Sequence, residues 1–462
     1  MKKMGNLREF TAIGTVKVLG RCILLSGIAL FLFACATKSS AYKDIDGAVT
    51  RNNFEQGVEA IKAGQDKKPP LYPVLNSVSL YLDKGLLEHY AGNYKDSAQD
   101  LTEAERLIQE AYTKSVTADV ASYLANDNTK EYPGEDYEDI YIGIFNALNF
   151  YNNGDTEGAL VEIRKLTQPS GKLDMLSRKY EAANKSASDH MMNTLNKLGL
   201  RVNPELPQGN PVNFSNSALA RYLSVLFYLD ENNRDSARIE YDQLNAAFAS
   251  NPKVYSNPVP RSVKNMPNVP AGKARLNVIG FAGLSPIKEE KVYEERVPLD
   301  PPYNIIKIKL PVLKRRTSAT RGIEVEVQGH GRFELDLIED ISTVIEETYN
   351  ARFASMFFKT YIRSLLKNAA GAIATQQANK NDSTGGLASL GVMIAGKVAA
   401  DVSESADIRM GRFFPDKAFV GSIDLDPGTY NVTVHFGHSS KEFKDVNVKA
   451  GRINLIQAVN LQ

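Results

Sequence analysis

Five prolines between Asn251 and Gly272 divide the chain into two periodicities. Pro252, Pro258, Pro260, Pro267 and Pro270 remove backbone donors at short intervals and forbid a regular helix there. Upstream, apolar residues recur every three or four positions, as in amphipathic helices; Phe54, Val58 and Ile61 form one such stripe, ended by Gly64 and Lys67-Lys68-Pro69-Pro70. Downstream the period becomes two. Ile306-Lys307-Ile308-Lys309-Leu310, Ile323-Glu324-Val325-Glu326-Val327 and Phe333-Glu334-Leu335-Asp336-Leu337 alternate apolar and charged residues, which predicts strands with one wet face. Gln328-Gly329-His330-Gly331-Arg332 is the turn of a hairpin between the last two.

Within the helical half, Gly85, Gly92, Tyr94, Ser97, Leu101 and Ala104 have the spacing of a helix-turn-helix and resemble a tetratricopeptide repeat. A small residue lets two helices approach, a Gly-x-aromatic turn reverses the chain, and the second helix fills the gap. Glu88 stands where an aromatic is usual. A second unit runs from Phe145, Ala147 and Phe150 through Asn152-Asn153-Gly154-Asp155 to Ala159, Ile163 and Leu166. A third runs from Tyr222, Val225, Leu226 and Tyr228 through Asn232-Asn233-Arg234 to Ala237, Tyr241 and Leu244. Ser97, Ala159 and Ala237 lie at unequal intervals, much longer than the roughly 34 residues of a regular array, so the expectation is an irregular superhelix with inserts. One insert carries the loop Pro133-Gly134-Glu135-Asp136-Tyr137; the other carries a polar helix from about Lys172 to Leu198. Tyr137, Tyr141 and Tyr151 are candidates to line a partner groove, since tyrosine combines an apolar body with a polar tip. His89 and His190 stand alone and read as packing or surface residues.

The N-terminus supplies an address. Lys2, Lys3, Arg8, Lys17 and Arg21 precede an apolar run over 23–33 that is too short to span a bilayer, which is the order of a secretory signal. Leu32-Phe33-Ala34-Cys35 closes the run and resembles a bacterial lipobox. That resemblance implies removal of residues 1–34, lipidation at Cys35 and anchoring to the periplasmic face of the outer membrane, with Ala36 at the sorting position. A small polar tether follows. The only other cysteine, Cys22, falls inside the signal, so a mature chain lipidated at Cys35 has no free thiol for a disulfide scaffold, thiol catalysis or a cysteine metal site. Lys plus Arg number 55 against 54 Asp plus Glu, a formal charge of +1, which leaves no global field for nucleic acid.

Beyond the β-hairpin, Ile341, Val344 and Ile345 begin a helix whose apolar face continues through Phe353, Phe357, Tyr361 and Leu365. A second helix is expected over 387–400, short of a bilayer span and rich in glycine and alanine, where it can pair with the first or meet a membrane or partner. The tail alternates again: Phe419 to Leu425, the turn Asp426-Pro427-Gly428-Thr429, Tyr430 to Phe436, Phe443 to Val448 and Ile453 to Val459. His435 and His438 diverge on strand and turn, so no metal site is expected. Glu324, Glu326, Glu334 and Asp336 share the wet face of the hairpin, where acidic and basic residues keep an edge soluble; Lys314-Arg315-Arg316 is a compact basic loop.

In order, the chain is similar to a family of uncharacterised bacterial envelope lipoproteins with tetratricopeptide-like N-terminal helices. Leu310-Pro311-Val312, Ala406-Asp407-Ile408-Arg409 with Phe414-Pro415, and Leu425 to Tyr430 carry the resemblance. It implies no activity. The expected fold is α+β and multidomain: signal 1–34, tether 35–48, irregular tetratricopeptide-like superhelix 49–250, proline-rich linker 251–272, β-rich domain 273–340, inserted helical hairpin 341–404, and a C-terminal β-sandwich-like module 405–462. Asp407 and Arg409 are expected to form a structural ion pair joining hairpin to tail. No Ser-His-Asp set, zinc motif, phosphate loop or dinucleotide fingerprint occurs. The expected function is therefore non-enzymatic and cofactor-free: a lipid-tethered periplasmic scaffold that binds an envelope protein through its helices. The rivals are a regulator of a cell-wall synthase or of another envelope assembly machine, and a hydrolase using the 324–336 carboxylates.

Overall fold

The computed structural model describes residues 42–116, 127–169, 171–197, 214–264, 266–297, 304–377 and 405–462. Cys35 and the 387–400 segment lie outside them. The chain forms two compact units, 1–71 and 72–462. In the first, α1 (42–49) and α2 (Phe54–Gln65) bury Ile45, Val49, Phe54, Val58 and Ile61. The Asn53 side chain accepts from the Gln56 backbone N–H and starts α2.

In the second unit, α3 (Ser77–Ala91) and α4 (Tyr94–Val116), α5 (Asp136–Asn152) and α6 (Thr156–Thr167), and α8 (Ala218–Asp230) and α9 (Arg234–Ser250) are three helical hairpins at the expected turns. Asp155 and Asn233 cap the second helices of the later two by accepting from Gly158 and Ser236 N–H. A Cβ on Gly85 would lie 2.9 Å from the Leu101 side chain, so the expected close-packing position is occupied as its spacing requires. The polar helix α7 (Lys172–Lys197) packs against α10 (Ile341–Gln377). Among the described residues no helix is long and apolar enough to cross a membrane.

Among the described residues nine strands follow: β1 (Ala274–Leu284), β2 (Ile287–Val297), β3 (Asn304–Lys314), β4 (Ile323–Val327), β5 (Gly331–Asp340), β6 (Pro415–Leu425), β7 (Gly428–His435), β8 (Ser440–Val448) and β9 (Asn454–Asn460). Seven form a nearly closed sheet in the order β8-β7-β4-β5-β6-β1-β9, with only β1 and β9 parallel. β2 and β3 make a separate antiparallel ribbon laid on α10. The expected boundary between a β-rich domain and a C-terminal sandwich-like module is therefore corrected. β6 lies between β5 and β1, pairing Leu276 with Ile423 and Asp336 with Val420, so both segments build one core around Leu276, Val278, Ile323, Val325, Val432 and Val434. The interior is narrow enough that Gly421 faces Leu335, whose methyl would lie 2.4 Å from an added Cβ.

The other face of β1 meets the helices: Phe281 packs at a tilt on Phe145 of α5, ring centroids 5.3 Å apart, and every residue of β1 is buried. The proline-rich stretch is not a loose linker, because Val254, Tyr255, Val263 and Met266 are buried in this layer. Glu339 ties this layer to the sheet. A register shift between Leu337 and Glu339 in β5 turns this fully buried carboxylate toward the helices. It accepts from Tyr141 Oη of α5 at 2.7 Å, Tyr255 Oη at 2.7 Å, and Ser217 Oγ and Leu219 N–H at the start of α8 at 2.9 and 3.3 Å. Burial raises its pKa, opposed by these hydrogen bonds. Glu339→Ala strands these donors and is expected to cost about 3 kcal/mol or more, read from urea unfolding of the whole chain. A loss below about 1 kcal/mol would show that the tie carries little of the fold.

Candidate functional site

The segment over 405–414, which carries the Ala406 to Pro415 motif, runs between the helical layer and the sheet, and its backbone is pinned almost residue by residue. Ser405 O accepts from Asn128, and Ala406 N–H donates to Glu290 of β2. Gly411 N–H donates to Glu138 Oε1 at 2.6 Å, Arg412 N–H to Asp83 Oδ1 at 2.6 Å, and Phe413 O accepts from Tyr90 Oη at 2.9 Å. Phe413 and Phe414 are fully buried, and Phe414 packs edge-on against Tyr137 at 5.8 Å.

Asp407 and Arg409 form an ion pair at 2.8 Å. Arg409 also donates to the backbone oxygens of Leu75, Lys130 and Asp127, so the pair ties the segment to the loops around the helical hairpins. Burial works to raise the Asp407 pKa, but the hydrogen bond and charge of Arg409 outweigh it and hold the carboxyl below the usual carboxylate range.

The start of α5 gathers acidic residues, Glu135, Asp136 and Glu138, of which Glu138 is fully buried. Glu135 caps the helix in a reciprocal box with Glu138. Glu135 binds Lys288 of β2 and lies 2.6 Å from Arg352 of α10; Asp136 binds Lys179 and Tyr180 of α7. Acidic groups in the first turn suit the positive end of the helix, and here they also draw in three other elements. Glu138 is fully buried and accepts from Tyr132 Oη at 2.9 Å, Glu135 N–H at 2.7 Å and Gly411 N–H. Burial, then the Glu135 charge, push its pKa up to about 7 against the pull of the two N–H groups. The arrangement holds charge firmly and orients backbone; its oxygens are already occupied by donors from the chain.

The three candidate groove tyrosines face inward, which corrects their expected exposure. Tyr137 and Tyr141 are buried, the first on Phe414 and the second on Glu339; Tyr151 Oη accepts from Leu455 N–H of β9 at 3.1 Å. Their polar tips are spent on internal partners. The hairpin carboxylates each meet arginine: Glu324 and Glu326 share Arg332 at 3.0 and 2.6 Å, and Asp336 and Glu334 share Arg261 at 3.0 and 3.5 Å. Arg315 of the basic loop is bound to Glu346 at 2.5 Å, and Arg316 donates to the backbone oxygens of Ser285 and Arg412. His435 reaches Glu326 at 3.4 Å. Among the described residues no group of three or more His, Cys, Asp or Glu could hold a metal ion.

His89 is the node that its lone position in the sequence conceals. Its ring nitrogens lie 2.7 Å from the Asn149 side chain and 3.0 Å from the Gln457 amide of β9, and Phe145 packs edge-on at 5.0 Å. Burial drives its pKa down to about 4. A neutral ring donates from one nitrogen only, so it serves either Asn149 Oδ1 from Nδ1 or Gln457 Oε1 from Nε2, as its tautomer decides. No protein family, curated protein or solved structure matches the chain.

Glu138 gives a pH-dependent prediction. Its folded pKa is raised from 4.5 to about 7, so its contribution to stability is full below about 4.5 and is lost as pH rises through about 7. Glu138→Gln destabilises at pH 5, because its amide NH2 opposes an N–H donor. The gap to the wild type should narrow by about 2 kcal/mol at pH 8, measured by urea melts; an unchanged gap would mean that the carboxyl stays ionised throughout.

Proposed function

We propose that the chain is a non-enzymatic, lipid-tethered envelope scaffold whose helical hairpins hold another envelope protein. The observation that carries this reading is the use of its acidic groups. The four hairpin carboxylates most suited to chemistry are matched by Arg332 and Arg261, and the buried Glu138 and Glu339 have their oxygens filled by donors that fasten helices to the sheet. Such groups hold surfaces in place. The surfaces available for recognition include the outer faces of the helical hairpins, where Tyr112, Val161 and Ile239 are exposed.

The tether in this reading is a lipid on Cys35. Cys35→Ser should abolish uptake of labelled fatty acid and release the protein from the membrane fraction; retention of both overturns the anchor. The Glu324→Gln/Glu334→Gln double variant separates the scaffold from a hydrolase: its cellular phenotype should match the wild type, whereas loss of function with a normal circular dichroism spectrum favours the hydrolase. Photo-crosslinkers placed at Val161 and Ile239 in cells should capture the same envelope protein. Capture of none, at sites that label efficiently in the unfolded chain, removes the scaffold reading.

A further inference from the structure

The β2–β3 ribbon has one covered strand and one open strand. Ile306, Ile308 and Leu310 of β3 are buried on the α10 side, and β2 has no second strand neighbour among the described residues. Residues 289–294 of β2 are all exposed, Val292 at 47% and Tyr293 at 37%. The 405–414 segment engages its start, with Lys288 N–H on Met410 Sδ and Ala406 N–H on the Glu290 carboxylate; beyond these the edge presents a row of backbone donors and acceptors for another strand. Its charge order specifies which strand fits.

A two-fold axis normal to the ribbon would set β2 antiparallel to β2 of a second copy, with each face kept on its own side and the central residue opposite itself. A lysine, glutamate or arginine at the centre would meet its own charge. Within 289–296 that leaves Val292 and Tyr293. Centring on Val292 opposes Glu290 to the second copy's Glu294, Glu289 to its Glu295 and Lys288 to its Arg296, all repulsive. Centring on Tyr293 opposes Lys291 to Glu295 and Glu290 to Arg296, each twice, with no like-charge pair. On the wet face Glu290 and Glu294 already lie 3.5 Å from Lys309 and Lys307, so the added strand extends an existing alternation of sign.

We propose that the chain self-associates by antiparallel pairing of β2 with β2 of a second copy about Tyr293, making a four-stranded β3-β2-β2-β3 sheet. This is independent of the scaffold reading and of its partner. The purified full-length chain in mild detergent should sediment as a dimer that dissociates on dilution. Lys291→Glu turns two attractive cross-strand pairs repulsive and should raise the dissociation constant roughly thirty-fold. The Lys291→Glu/Glu295→Lys variant exchanges the charges and should restore it to within about three-fold. A monomer at every concentration, a dimer indifferent to Lys291→Glu, or a correctly folded double variant that stays monomeric overturns the proposal; the last two point to another interface or another register.

Discussion

A carboxylate carried on a sheet and buried beneath helices must find its donors there, and Glu339 is the point at which this requirement joins the two halves of the large unit. The bulge in β5 turns the side chain out of the strand alternation, and Tyr141, Tyr255, Ser217 and Leu219 answer it from the helical layer and the proline-rich stretch. Ionised or protonated, such a group is costly to bury without partners. The donors therefore fix where α8 begins and how α5 lies on the sheet, and Phe145 against Phe281 completes the contact with apolar area. Hydrophobic burial supplies most of the driving force in a contact of this kind, while the directional bonds select one register among several apolar fits.

The segment over 405–414 applies the same principle to backbone. A connecting strand buried between layers would leave its N–H and C=O groups without water. Glu138 of α5, Asp83 and Tyr90 of α3, and Arg316 of the loop after β3 supply the partners. This accounts for residues around Ala406 to Pro415 without any chemistry on a ligand: Asp407 pre-orients Arg409, Gly411 leaves room beside the Phe414 ring, and the two phenylalanines fill the space between helices and sheet. The acidic first turn of α5 is the counterpart, since Glu135, Asp136 and Glu138 serve helix start, ribbon, α7 and α10 together.

What was legible in the sequence is what local physics decides. The turns at Asn152-Asn153-Gly154 and Asn232-Asn233, the close-packing Gly85, and the β4–β5 hairpin all follow from backbone conformation or alternation within a few residues. β1 was not legible as a half-wet strand because both of its faces are buried, which erases the period of two. The fusion of the tail with β1, β4 and β5 depends on pairings such as Leu276 with Ile423, across a long stretch of chain, for which alternation gives no partner. Tyr137, Tyr141 and Tyr151 misled for a related reason: a polar tip reads as surface unless its buried acceptor or donor, here Glu339 or the β9 backbone, is known. The ion pair of Asp407 with Arg409 was expected from the residue types as a link between hairpin and tail, but the carbonyls of Leu75, Asp127 and Lys130 that share Arg409 were not legible.

The same contrast separates the inside of this molecule from its edge. Charges in the interior are committed to donors that cannot be surrendered without loosening α5, α8 or the 405–414 segment, so a ligand competing for Glu138 or Glu339 would have to displace part of the fold. On β2 the situation is reversed. Its cross-strand partners on β3 occupy one side only, no second strand pairs with it among the described residues, and its sequence of Glu, Lys, Val, Tyr, Glu and Arg carries no proline to blunt the edge. An edge strand that is charged on both faces resists arbitrary partners, since most registers oppose like charges, yet it accepts the one whose order complements it. Association at β2 therefore requires no rearrangement of the buried networks, and selectivity there comes from the order of charges along a single strand.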